Sequence, residues 1–185
     1  MNDSQGEERT EFVRDLERQA EFAKDLLDEI DRQRQEAERQ GLNFTAPTAE
    51  QLKKKLASAQ SPMIVGQAWN SVAAPGAINY TVGINNPDPV RWFWLFAHVF
   101  VGPANIARDV GDAVSAVDAR FPRLTLPQFD GLSLAPGATQ LLNFSLTVPG
   151  DIERSNYLGN TFLFHSTWHD LGQYLDRSLF VFEVT

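Results

Sequence analysis

Three histidines, His98, His165 and His169, are the side chains of this sequence best suited to metal binding or general-base chemistry. His165 and His169 stand four residues apart. On a helix that spacing converges on one zinc ion, but along a strand it leaves two rings on one face and far apart. His98 can reach His165 only across paired strands, with Asp170 as the third ligand of such a group. Strand alternation sets His98 and His165 on opposite faces, so the expectation is three structural histidines and no metal site. No Gly-rich phosphate loop, Gly-x-Ser-x-Gly elbow, His-Glu-x-x-His pair or acidic calcium loop is present. Carboxylates after residue 41 are scattered without an evident pair. The sequence therefore predicts no catalytic residues, no cofactor and no enzyme.

Composition narrows the partners. Net charge is −8 over 185 residues, with a sequence pI of about 4.8. That balance argues against nucleic acid and anionic membrane surfaces. Residues 1–40 hold 13 acidic and 7 basic side chains, a net −6, so the acidity is concentrated at the N-terminus. With no cysteine there is neither a disulfide framework nor thiolate chemistry. The first apolar residues are embedded in Glu and Arg rather than in a continuous apolar leader, and no run reaches a membrane-spanning length. Taken as written, the expected location is cytoplasmic, with an extracellular one open if a leader is missing. Asn43, Asn79 and Asn143 begin glycosylation sequons, which in a chain without a leader read as chance.

The elements that would position any site centre on Arg91-Trp-Phe-Trp-Leu-Phe-Ala-His-Val-Phe-Val101. Its aromatic and β-branched content reads as a strand with two apolar faces. Trp92, Trp94, Phe96, His98 and Phe100 share one face, read as the core side. Phe93, Leu95, Ala97, Val99 and Val101 share the other, which needs a cover.

Upstream, Ser4-Gln-Gly-Glu7 opens a helix over about 5–40 as a capping box. Val13, Leu16, Ala20, Ala23, Leu27 and Ile30 follow heptad spacing, and Phe12, Phe22 and Leu26 widen the stripe. Either a helix docked on its own domain or a coiled coil between chains fits that pattern. Residues 31–40 offer only Ala37 in register, so a solvated extension is expected there, ended by Gly41. A second helix over about 48–60 starts at Thr48, with Gln51 three residues on. The helical region is thus 1–60 and the β domain 61–185. Within the latter, 63–69, 78–85, 142–148, 162–168 and 179–184 read as strands. Asn105–Val117 has helix-compatible spacing, and Phe121–Pro127 looks extended.

Ile78–Asn86 ends in Asn-Asn-Pro, Leu134-Ala-Pro-Gly precedes Leu142–Pro149, and Tyr157-Leu-Gly159 leads to a hairpin ending Phe180-Val-Phe-Glu-Val184. In this order and spacing the chain from about Ala74 to Thr185 resembles the bacterial immunoglobulin-like modules of the CARDB type (cell-adhesion-related domains). The resemblance implies a mainly β protein: an antiparallel immunoglobulin-like sandwich, here preceded by a long N-terminal helix and a short second one. It places 78–85 with 140–148 in one sheet, and 91–101, 160–168 and 178–184 in the other. The insertion at 102–131 and the helical N-terminus depart from that pattern. Such modules carry over no catalytic residues.

The functional expectation is a non-catalytic structural or interaction module. It would bind a protein partner, or a second copy as a dimer, through the helix residues Phe12, Leu16, Ala23, Leu27 and Ile30. The sheet residues Phe93, Leu95, Val99, Leu163, Leu179 and Val181 would complete the surface. Nucleic acid and membrane insertion are not expected. The helix stripe, about 28 Å long, matches a strand of about 35 Å, so the helix is expected over that sheet face. The alternative is a carbohydrate or small-ligand module that uses exposed aromatics such as Trp69, Trp92 or Trp168.

Overall fold

Proline and glycine punctuate the chain at Pro62, Pro75-Gly76, Pro136-Gly137 and Pro149-Gly150, and the alternating segments between these breaks become strands. The structure, a computed structural model, describes residues 3–58, 61–103, 124–125, 132–167 and 170–185. In chain order the elements are α1 (Asp3–Arg39), β1 (Asn43–Thr45), α2 (Ala49–Ser58), β2 (Met63–Trp69), β3 (Gly76–Asn85) and β4 (Phe93–Pro103). There follow β5 (Leu124–Thr125), β6 (Leu132–Leu134), β7 (Thr139–Val148), β8 (Asn156–Thr167) and β9 (Asp170–Glu183). The expected helix at Asn105–Val117, and His169, lie outside the described residues.

Two antiparallel sheets form a sandwich. One has the order β1-β2-β3-β7. The other has β5-β4-β8-β9, with β6 also paired to β4. The partition that the family resemblance implies holds, since β3 pairs β7 while β4, β8 and β9 are neighbours. The short second helix and its cap also hold. Thr48 Oγ1 accepts from the Gln51 N–H at 3.2 Å, and Gln51 Oε1 accepts from the Thr48 N–H at 2.9 Å. Gly41 ends α1 with φ +67°, a conformation that glycine tolerates best.

Between the sheets, Tyr80 stacks between Phe144 and Phe180, with centroids 4.8 and 4.9 Å away. Phe180 also lies across Gly159, where a Cβ would come within 2.2 Å of its ring. A polar chain crosses this aromatic core. Thr161 Oγ1 donates to Gln67 Oε1 at 2.7 Å, and Gln67 Nε2 donates to Ser178 Oγ at 2.8 Å. Thr161 has given its only proton to Gln67, so the Tyr80 hydroxyl, 3.0 Å away, donates to Thr161. Burial pushes the Tyr80 hydroxyl far above its ordinary pKa, which keeps this donor protonated.

Two expectations about packing are corrected. The first concerns β4, whose inward face is the mainly aliphatic one: Phe93, Leu95, Ala97, Val99 and Val101 are buried in the core, and Leu163 beside Ala97 is fully buried with them. When both faces of a strand are apolar, alternation does not choose between them. Here the facing strands supply Tyr80, Phe144 and Trp69, and sheets pack only about 10 Å apart, so slim side chains complement bulky ones. On β8, Phe162 and Phe164 lie opposite His98 and Phe96 and so share their outer face, where Phe162 is nevertheless buried.

The second concerns α1, which lies over the other sheet. Leu26 and Ile30 pack with Leu52, Met63 and Val65 in a second cluster, joined by Phe22, Leu27, Phe44 and Leu56. Residues 31–40 are not a solvated extension. Ala37 is buried, and Gln33 seats its amide over Gly66 and Gly83, where a Cβ would stand 2.6 and 2.9 Å from Gln33 Oε1. That notch is invisible in a hydrophobic pattern because the packing residue is polar and its sockets are glycines. The Lys55 ammonium donates to Asp176 Oδ2 at 2.6 Å, and the Ile64 N–H reaches the same oxygen at 2.8 Å. These contacts tie α2 and β2 to β9.

Candidate functional site

With the aliphatic face of β4 turned inward, the aromatic face turns out, and register extends it across the sheet. Phe96 faces Phe164 and His98 faces Phe162 on β8. A register shift between Leu163 and Phe164 then brings Tyr174 of β9 opposite Phe164. The rings meet edge to face or side by side. His98–Phe164 is 5.4 Å, Phe164–Tyr174 6.1 Å, Phe162–Phe164 6.3 Å and Phe162–Tyr174 6.4 Å between centroids. The rim is open: Trp94 is 52% exposed, Tyr174 53%, Leu179 42% and Val181 51%. Trp92, just before β4, is exposed too.

Within this face Asn160 is buried, and its Oδ1 has no hydrogen-bond partner. A buried acceptor left unpaired is costly, and such groups cluster where a ligand or water completes the bonding. Arg177, opposite Phe162, brings a cation to this face.

The histidines do not converge. His165 pairs with Leu95 and touches the Phe93 ring at 5.2 Å on the inner side of the sheet, whereas His98 lies on the outer side. Burial, reinforced by the nearby Arg91 guanidinium, holds the His165 pKa below its ordinary value, so it is neutral near pH 7. Among the described residues no group of three or more His, Asp or Glu side chains is arranged to hold a metal.

The residues expected to form the interaction surface are divided by the fold. Leu179 and Val181 lie on the open outer face, and Phe93, Leu95, Val99 and Leu163 are in the core. Ile30 is buried against β2, Leu27 packs beside it and Ala23 is half-buried; the side chains of Phe12 and Leu16 lie outside the described set. Of the aromatics considered for ligand binding, Trp69 is buried and donates its Nε1–H to Val181 O at 3.1 Å, Trp92 is exposed, and Trp168 is outside the described residues. Trp94, Phe164 and Tyr174 as outward groups were missed. For Trp94 the signal was the two-faced apolar content of 91–101, which alternation left unresolved; Phe164 follows the outer face of β4 by regular pairing, and Tyr174 follows Phe164 by the register shift.

Two further hollows flank the helices. One of about 350 Å³ is lined by Arg18 and Phe22 of α1, Leu56 of α2 and three loop prolines, Pro87, Pro89 and Pro136. The other, about 460 Å³, runs between Glu29, Gln33 and Glu36 of α1 and the outer face of β3 and β7 at Thr81, Leu141 and Asn143. Among the described residues no helix is long and apolar enough to cross a membrane.

The arrangement defines a β-sandwich module with a helical N-terminal cover. No family model and no curated protein matches the sequence. Among solved structures, the C-terminal domain of wzt is similar with a TM-score of 0.52 at 10% identity, covering 78% of this chain and 78% of that one. The CARDB domain of a Pyrococcus furiosus protein, in complex with di-metal ions, aligns with a TM-score of 0.41 at 13% identity, over 68% of this chain and 86% of that one. Spo0M, a sporulation control protein from Bacillus subtilis, aligns at 0.42 and 11% identity, over 68% and 50%. At these identities the likeness is one of fold.

Proposed function

We propose that this chain is a non-catalytic interaction module that takes a protein partner on the outer face of the β4-β8-β9 sheet. The observation that carries the reading is the open rim of Trp94, Tyr174, Leu179 and Val181 around a largely apolar face. Interfaces draw their energy from Trp, Tyr and Arg anchors set among apolar neighbours, and this face supplies all three types. Val13 of α1, which is open, offers a second contact in line with the heptad stripe.

A second reading, a carbohydrate or other small polar ligand, is favoured by the open Trp94 and Tyr174 rings and by the unpaired Asn160 carbonyl. It is the weaker one. The Tyr174 ring stands 60° and 71° from its two neighbours, so these rings make no coplanar platform, and two of the four rim residues are aliphatic.

The test compares wild type with Val181→Asp and Trp94→Ala in crosslinked recovery from cells and on a glycan array. Both sites are exposed, so both variants are expected to melt within about 1 kcal/mol of wild type. Recovery of a defined protein by wild type, lost in Val181→Asp, supports the first reading. Glycan binding abolished by Trp94→Ala and kept by Val181→Asp selects the second. Unchanged behaviour of both variants overturns the assigned face.

A further inference from the structure

We infer that β7 is the edge through which two copies of this chain pair, antiparallel about a twofold axis, into a dimer with one continuous sheet. This stands apart from the aromatic face, which belongs to the other sheet. A strand at a sheet edge offers a row of unused N–H and C=O groups, and proteins blunt such edges with charge, proline, bulges or shortness. β7 has none of these devices. Thr-Gln-Leu-Leu-Asn-Phe-Ser-Leu-Thr-Val carries no charge and no proline, and its ten-residue register with β3 runs without a shift. Among the described residues β3 is its only strand partner.

The other edges are short or protected: among the described residues β5 and β6, beside β4, have two and three residues. β1 is three residues long and lies against α1. β9 carries Asp170, Asp176, Arg177 and Glu183 and two register shifts, and Trp69 of the facing sheet occupies its Val181 carbonyl.

The neutrality of β7 is what points to a second copy. Across a twofold axis a residue at the centre meets itself, and like charges directly opposed are destabilising. A foreign strand imposes no such condition, since opposite charges would suit it better. Centred on Asn143, the pairing sets Asn143 against Asn143, Leu141 against Ser145 and Thr139 against Thr147 on the outer face. Leu141, 48% exposed, then gains cover. The two α1 helices end up on the same side of the joined sheet, each in a segment 1–40 of net charge −6, with the Glu29–Arg32 and Glu36–Arg39 ion pairs towards the β7 flank. Added salt should therefore tighten the dimer by screening that repulsion.

Sedimentation equilibrium over a range of concentrations and salt tests this on the full chain. Wild type is expected to dimerise, and Asn143→Lys to raise the dissociation constant more than about ten-fold while melting normally. Mixing Asn143→Lys with Asn143→Glu should restore association, as only a twofold self-pair allows. In this cysteine-free chain, Asn143→Cys should form an inter-chain disulfide under mild oxidation. A wild-type protein that stays monomeric throughout overturns the inference, whether its own residues or nothing covers the edge. A dimer that survives Asn143→Lys, as pairing through α1 would, overturns it equally.

Discussion

Thr161 shows how one hydroxyl carries several obligations. It accepts from Tyr80 and donates to Gln67, in the middle of the sandwich. Thr161→Val keeps the shape and strands both partners, so it is expected to cost about 2–4 kcal/mol in urea unfolding. Tyr80→Phe removes a donor without orphaning a second one and should cost about half as much. A second residue-scale expectation concerns pH. Burial opposes the charge of Asp88, but N–H donors from Arg91 and Val90, with the Arg91 charge, outweigh it and hold the carboxyl below the ordinary range. The His165 pKa is also lowered. Both groups bind protons more readily when unfolded, so each contributes stability that is full above its unfolded pKa and lost as pH falls through its folded one. For His165 the loss begins below about pH 6.5, and for Asp88 below about pH 3.9. The His165→Gln variant should flatten the first limb of a stability–pH curve, and Asp88→Asn the second.

At the scale of elements, α1 is two helices in one. Its second half is clamped by Leu26, Ile30 and Ala37 and by the seating of Gln33 over paired glycines, while residues 17–21 are exposed throughout. Val13→Ala, at an exposed position of this helix, is therefore expected to change the melting free energy by less than about 1 kcal/mol. Ile30→Asp, which buries an unpaired carboxylate, should cost more than about 3 kcal/mol. Circular dichroism melts of the two proteins would separate these outcomes. On β8, Gly159→Ala places a methyl group inside the space of the Phe180 ring. Phe180 is held between Tyr80, Trp69 and Phe182, so it has no room to yield, and a loss of about 2–4 kcal/mol is expected.

For the molecule as a whole, the two sheets present different surfaces. Sheet β1-β2-β3-β7 is covered on its outer side by α1 and α2 and leaves an uncharged edge. Sheet β4-β8-β9 is fixed to the helical region through Lys55 and Asp176 and leaves an aromatic face. Lys55→Ala removes one partner of a half-buried pair and should loosen this link by about 1 kcal/mol. It should also raise hydrogen exchange at the Ile64 amide, whose acceptor is the same Asp176 oxygen. Faster exchange confined to α2 and β2, with the sheet core unchanged, is the expected pattern.

How much of this was legible depends on whether a feature is local. Alternation in Ile78–Ile84, Leu142–Val148 and Phe180–Val184 reported strands whose one apolar face had to be inside. Thr48 with Gln51 and Gly41 reported helix ends, because caps are made between neighbours in sequence. The grouping of strands into two sheets was implied by the family resemblance, and the polar outer positions of 78–85 and 142–148 agreed with it. Three things were decided only in three dimensions. Which apolar face of 91–101 points inward depended on the size of the side chains opposite. The position of α1 depended on a glutamine fitting a pair of glycines from two strands. The placement of Tyr174 opposite the outward Phe164 depended on a register shift between β8 and β9 that no period of two reveals. Each is a complementarity between segments far apart in sequence, and a chain read residue by residue carries the shapes of both partners without saying that they meet.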